Sequence, residues 1–217
     1  MILWQDEALL VVNKPAGLPT LVDGYHPEAP YLVGILKTIY QPLWTVHRLD
    51  KGTSGVVVFG RTAEAHRSLN TQFETHLAQK IYHALVMGSP EWENKTIDLP
   101  LRPNGDRKHR TIIDAQNGKQ AITELHVLER FREASLVEAR PRTGRTHQIR
   151  AHLAAVNHPL VSDALYGGRP IFSLKRTGLH AWALGFKHPL TGEKMYFEAP
   201  YPEDFAVEIN QLRLSGS

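Results

Sequence analysis

Val46-His47-Arg48-Leu49-Asp50-Lys51-Gly52-Thr53-Ser54-Gly55-Val56-Val57-Val58 sets an arginine and an aspartate two residues apart, just ahead of a hydroxyl-rich turn and a β-branched run. Val56 to Phe59 is short, β-branched and bounded by Gly55 and Gly60, so it reads as a buried strand. Asp50 then stands at the mouth of a sheet, held by a turn rather than on a solvated helix face. A carboxylate near a cation stays ionised and can act as base or nucleophile. On these residues alone, a turn-forming aspartate beside a surface arginine is the simpler reading.

Working outward, further strands are expected at Leu9 to Val12, Ile81 to Met87, Ile122 to Val127, Leu136 to Ala139 and Leu179 to Phe186, with an edge strand at Met195 to Glu198. Thr123, Leu125 and Val127 alternate with Glu124 and His126, as a half-buried antiparallel strand requires. Helical spacing appears in Leu32, Ile35, Leu36 and Ile39, in Leu69, Phe73 and Leu77 behind a Thr62 N-cap, and in Ile149, Leu153 and Val156. A closing helix is expected over Glu203 to Leu214. Many strands, few helices and frequent sequential neighbours predict an α+β fold with a mostly antiparallel sheet.

The chain has 217 residues, enough for one large domain or two closely joined lobes, and 42% of them are hydrophobic. No run approaches the ~20 apolar residues of a membrane span, so no membrane partner is expected. Met1 to Glu7 lacks a basic region and a small-residue cleavage site, so it does not read as a signal peptide. Cysteine is absent, which excludes disulfides, thiolate catalysis and Cys-based zinc sites and suits a cytoplasmic location. The net charge of +3 decides little, but its distribution is uneven. Arg102, Arg107, Lys108 and Arg110 crowd one loop with Asp106 the only acid among them, and Arg140, Arg142, Arg145 and Arg150 crowd another stretch. Such clusters suit phosphate binding, with Lys108 as a candidate contact, and equally suit solvated loops. His147, His152 and His158 lack the spacing of a His-x-x-x-His pair and have no cysteine beside them, so no metal site is expected.

Five segments in order resemble one family. His47-Arg48-Leu49-Asp50 with Thr53-Ser54-Gly55 is similar to the active-site segment of the RluA family of RNA pseudouridine synthases. Asn13-Lys14-Pro15-Ala16-Gly17 resembles its first motif, Lys80-Ile81-Tyr82 its tyrosine segment, and Thr143-Gly144-Arg145-Thr146-His147-Gln148-Ile149-Arg150 its basic motif. The tail from Leu179-His180-Ala181 through His188-Pro189-Leu190-Thr191-Gly192-Glu193 to Ala199-Pro200 follows the family as well. One departure is Ser162, in His158-Pro159-Leu160-Val161-Ser162-Asp163-Ala164-Leu165-Tyr166-Gly167, where many members carry glycine.

The resemblance implies a single catalytic domain over residues 1–217, a long bent mixed sheet with a central active-site cleft, and isomerisation of uridine within a ribosomal or transfer RNA stem-loop. It also implies a monomer needing neither cofactor nor metal, and with the first strand and motif beginning at once, no S4 module is expected. Asp50 is implied as the essential carboxylate, attacking the base or deprotonating the sugar, and Arg150 as the cation that keeps it ionised. Tyr82 is implied beside the target base or else as a core tyrosine, and Ile149 on the other base face or as core filling. Arg48 is implied to fill the place of a flipped uridine. Lys14 and Arg145 fit phosphate contacts or a solvated surface. The rivals are an RNA-binding or ribosome-assembly protein that kept the fold without its chemistry, and an unrelated aspartate-nucleophile hydrolase.

Overall fold

The apolar runs read above become strands in order, and the short polar segments between them supply several more. The computed structural model describes residues 1–24 and 26–215. Along the chain run β1 (Ile2–Gln5), β2 (Leu9–Lys14), α1 (Leu32–Lys37), β3 (Trp44–Thr45), β4 (Ser54–Gly60), α2 (Ala63–Glu74) and β5 (Gln79–Met87). After these come β6 (Asn94–Asp98), β7 (Leu101–Arg102), β8 (Ile112–Ile113), β9 (Ile122–Arg130), β10 (Ala134–Pro141), α3 (Gln148–Ala155), β11 (Leu179–Lys187), β12 (Lys194–Glu198) and α4 (Glu203–Ser215). The class is α+β with mostly antiparallel pairing. Two compact units form, one from Met1–Lys80 with Ala181–Pro200, the other from Ile81–His180 with the chain from Tyr201 on.

In the first unit the strand order is β1-β2-β4-β11, with β3 paired to β4 and β12 to β11. β4 is buried at every position, as its β-branched run predicted. Val56 and Val58 pack with Leu9, Val11, Ala65, Leu69, Leu184 and Phe186 in one apolar cluster. Gly55 has φ +117°, and a β-carbon there would collide with the Ala181 carbonyl, so only glycine lets the turn after Asp50 enter β4. α2 begins at its Thr62 cap, whose hydroxyl accepts the Ala65 N–H at 3.0 Å. It ends earlier than the spacing suggested, because His76 turns into the left-handed region at φ 61° and carries Leu77 out to solvent. α1 is likewise shorter than its apolar spacing, burying Leu32 and Leu36 and leaving Ile35 and Ile39 exposed.

In the second unit the order is β5-β10-β9-β6, each pair antiparallel. β9 shows the expected alternation, with Thr123, Leu125 and Val127 buried and His126 and Leu128 exposed. Leu125 and Val127 meet Ala84, Val86, Val137 and Ala139, and α3 closes over them with Ile149 and Leu153. β6 buries Ile97 alone, and an edge strand of that kind leaves too little apolar pattern to be read from sequence. α4 closes the unit through Phe205, Ile209 and Leu212, packed with Leu85, Phe131 and Leu136.

Ser162 occupies a position where the family's glycine has a clear reason. Its φ is 60°, and its hydroxyl donates to the Leu174 carbonyl. Left-handed backbone costs a non-glycine residue about 1–2 kcal/mol, which one hydrogen bond of about 1 kcal/mol largely offsets. Ser162→Gly is therefore expected to leave stability near wild type. Ser162→Ala keeps the strain and loses the bond, and should destabilise by about 1 kcal/mol in urea unfolding. Equal destabilisation by Gly and Ala would contradict this account.

Candidate active site

The Asp50 loop is fixed from several sides by groups outside its own carboxylate. The Thr20 hydroxyl donates to the Leu49 carbonyl at 2.8 Å and accepts the Leu49 N–H at 3.1 Å. The Thr53 N–H donates to the Asp50 carbonyl at 3.0 Å, and the Gly17 N–H to the Lys51 carbonyl at 2.8 Å. His47 stacks on Phe73 at 4.5 Å between ring centres, and its Nε2 accepts the Val58 N–H at 3.1 Å. Burial, with Lys80 adding to it, pushes the His47 imidazole down to about 3, so it stays neutral and serves as scaffold. Arg48 next to it is exposed and makes no ion pair among the described residues.

Lys14 departs from its expected phosphate contact. It is fully buried, and its ammonium donates to the Pro15 carbonyl at 2.9 Å and the Leu18 carbonyl at 2.8 Å, with the Lys51 carbonyl at 3.5 Å. Lysine's three donors thus tie the first motif to the Asp50 loop, and a cation enclosed by carbonyls offers nothing to an external phosphate.

In the second unit, Tyr82 lies on β5 opposite Ala139 of β10 and packs half-buried against the core. Ile149 belongs to the same core and is 6% exposed, which favours core filling of the two uses read for it. α3 is anchored at its first residue by Gln148. The Thr143 hydroxyl and the Arg145 N–H donate to its Oε1 at 2.7 and 3.0 Å, and its Nε2 donates to the Ile122 carbonyl at 2.9 Å and the Thr123 hydroxyl at 3.0 Å. That anchoring positions Arg150 two residues on. Arg150 donates from Nε and Nη2 to the two carboxylate oxygens of Asp163, at 2.7 and 2.8 Å. Its guanidinium carbon also stands 5.1 Å from the centre of the Tyr166 ring. Gln148, Asp163 and Tyr166 carry no distinct signal in the sequence beyond the motifs that contain them, Asp163 and Tyr166 lying in the one with Ser162.

The basic clusters carry less uncompensated charge than their count implies. Arg102 pairs with Asp114 at 2.5 Å, Arg110 with Asp106 at 2.6 Å, Arg140 with Glu138 at 2.7 Å and Arg142 with Glu124 at 2.8 Å. Lys108 is exposed, and among the described residues neither it nor Arg107 makes an ion pair. Arg145 is exposed, with Nε donating to the Gln120 carbonyl at 3.0 Å. The three histidines are spent locally. His147 Nδ1 meets the Tyr166 hydroxyl, His152 the Thr123 hydroxyl and Leu99 carbonyl, and His158 the Met87 carbonyl. Among the described residues no group of three or more His, Asp or Glu side chains is placed to hold a metal ion, and no helix is long and apolar enough to cross a membrane.

A model of the RNA pseudouridylate synthase family matches residues 8–155. The chain is also 41% identical to an uncharacterized RNA pseudouridine synthase of Bacillus subtilis, YlyB, over 99% of this chain and 73% of that one. The chain belongs to the RluA family of RNA pseudouridine synthases. The synthase is thus an isomerase acting on uridine in RNA. It is 38% identical to ribosomal large subunit pseudouridine synthase D of Pseudomonas aeruginosa, over 98% of the synthase and 71% of that protein. Human RNA Pseudouridylate Synthase Domain Containing 4 shares its fold with a TM-score of 0.82 at 26% identity, over 98% of the synthase and 92% of that chain. The matched family segment contains Asp50, Tyr82 and Arg150, whereas Asp163 and Tyr166 of the synthase lie beyond it.

Proposed function

We propose that the synthase acts as a monomer in the cytoplasm, flipping a uridine out of a structured RNA and isomerising it through Asp50. The observation that carries this reading is the Asp50 loop, rigid through its backbone and its neighbours, with an exposed arginine two residues before the carboxylate. The reaction breaks the bond between N1 and ribose, turns the base and rejoins it through C5. The isomerisation is redox-neutral and transfers no phosphoryl group, so the chemistry asks for no cofactor. Asp50 supplies the carboxylate, Arg150 keeps it ionised, and Tyr82 offers its ring and phenol to the base. The RNA is a stem-loop, with ribosomal RNA the first substrate to test, since relatives at 38% and 37% identity bear the name ribosomal large subunit synthase. Turnover on uridine-containing RNA without added cofactor tests the reaction. Mapping pseudouridines in cells with and without the gene separates ribosomal from transfer RNA.

Arg48 is assigned to the vacated position in the RNA, where a planar cation can stack and hydrogen-bond. Unstacking costs a few kcal/mol, roughly, for a paired nucleotide and far less for a single-stranded one. Arg48→Ala should therefore lose more rate on an intact stem-loop than on one with a destabilised stem. A 2-aminopurine beside the target uridine should report weaker extrusion in this variant. Equal losses on both substrates, with normal extrusion, would reassign Arg48 to loop structure or chemistry.

Lys108 and Arg145 are assigned to phosphates. Lys108→Ala should weaken binding across RNA sequences and reduce the slope of log affinity against log salt by ~0.7–0.9. An unchanged slope would leave Lys108 as an ordinary solvated side chain.

A further inference from the structure

The loop between β7 and β8, residues 103–111, folds its tip around one carboxylate. Asp106 Oδ1 accepts the N–H groups of Lys108 and Arg110, each at 3.0 Å, and its Oδ2 accepts Arg110 Nε at 2.6 Å. The His109 N–H donates to the Asp106 carbonyl at 3.0 Å, and the Gly105 N–H closes the tip on the Arg110 carbonyl at 2.7 Å. The tip therefore moves as one piece, with the exposed side chains of Arg107 and Lys108 on it. β7 and β8 are two residues each, a ladder too short to hold such a loop by itself.

The attachment comes from the turn after α3. The Tyr166 hydroxyl accepts the Thr111 N–H at 3.0 Å and donates to the Thr111 carbonyl at 3.2 Å, so a side chain stands in for a paired strand. The same hydroxyl meets His147 Nδ1 at 3.1 Å. Arg110 adds a long contact, Nη1 to the Leu165 carbonyl at 3.4 Å. Tyr166 is itself held on a single 3-10 turn over Ala164–Tyr166, its N–H on the Asp163 carbonyl at 3.0 Å and its ring centre 5.1 Å from the Arg150 guanidinium carbon. Thr111 is buried, and its own hydroxyl has no partner among the described residues, so the Thr111 side chain does not anchor the loop.

We infer that Tyr166 is a positioning residue for RNA: its hydroxyl latches the loop over 103–111 to the turn after α3 and so fixes where Arg107 and Lys108 meet phosphates. This rests on the assignment of Lys108 to a phosphate. Cations on a loose loop still attract RNA, but the loop must then be ordered on binding, and holding it in place beforehand removes that loss of affinity. Tyr166 touches neither RNA nor the reacting atoms in this scheme. Its effect belongs to affinity and KM.

The test is a cycle on a uridine-containing stem-loop with Tyr166→Phe, a discharged loop carrying Arg107→Ala and Lys108→Ala, and all three together. Tyr166→Phe deletes one oxygen and keeps the ring beside Arg150. Its RNA dissociation constant should rise roughly fivefold, the scale of one lost hydrogen bond, and KM with it, while kcat at saturating RNA changes by less than about twofold. The Thr111 amide, without its acceptor, should exchange with deuterium at least roughly fivefold faster. In the discharged loop Tyr166→Phe should change affinity no further, because it acts through those two charges. Circular dichroism melting sets the temperature, and each titration runs in the folded range of its variant. Wild-type affinity in Tyr166→Phe beside a weakened discharged loop would overturn this inference and leave the assignment of Lys108 intact. An equal loss in both backgrounds would overturn it too, as would a loss confined to kcat. Wild-type affinity in the discharged loop would instead remove the reading on which the inference rests.

Discussion

Asp50→Asn is expected to abolish pseudouridine formation while RNA binding stays close to wild type. Asparagine keeps the shape of the side chain and removes its charge, its basicity and its nucleophilicity. The loss should reach roughly 10⁴-fold, the upper end of what one positioned acid–base group contributes. Folding should survive, because the anchors of the loop are other groups: the Thr20 hydroxyl on Leu49, the Val58 N–H on His47, and the Lys14 ammonium on three carbonyls. The thermal unfolding midpoint should therefore move little. Product is counted by chromatography of digested nucleosides, and affinity by a filter or fluorescence titration on the same RNA. Multiple-turnover activity within about tenfold of wild type would remove Asp50 from its assigned role.

Arg150→Ala should fail in two ways at once. On the role proposed for Arg150, activity falls with the loss of its cation. Stability falls because Asp163, 1% exposed, is left without its fork. Breaking a buried pair from one side costs about 3–5 kcal/mol, since the remaining charge stays desolvated. For a chain of this size that is roughly a 10 °C drop in melting temperature. The two failures separate in a paired variant. Arg150→Met with Asp163→Leu removes both charges and fills the volume, so melting should return to near wild type while activity stays absent. Arg150→Lys should fall between, because a point charge replaces part of the Coulomb term and cannot fork to a carboxylate. If the Met/Leu pair melts as low as Arg150→Ala, the buried charge is not the source of the instability. Circular dichroism melting and kinetics on one preparation of each variant decide both points.

Much of the architecture is legible from local pattern. β4 is a β-branched run between glycines, β9 alternates along its length, and α2 starts at a threonine cap, each signalled by a few adjacent residues. The His47-Arg48-Leu49-Asp50 motif is equally local, and with the four other segments it is enough to mark the family. Short polar strands such as β6 escaped, because one buried isoleucine makes no period and the pairing comes from its neighbour β9.

Sequence by itself therefore determined the fold class and the family, since these depend on residue type and near spacing. Tertiary structure alone decided which charges are spent. Glu124 lies on β9 and Arg142 just beyond β10, yet they meet at 2.8 Å. Lys14 reads as a surface cation, yet the chain folds three carbonyls around it. Arg150 reads as a helix-surface arginine or as a partner of Asp50, and the turn after α3 brings Asp163 against it at 2.7 Å. Electrostatic energy falls off over a few ångströms in space, whereas sequence records separation along the chain, so the partner of a charge is settled only when the chain closes on itself.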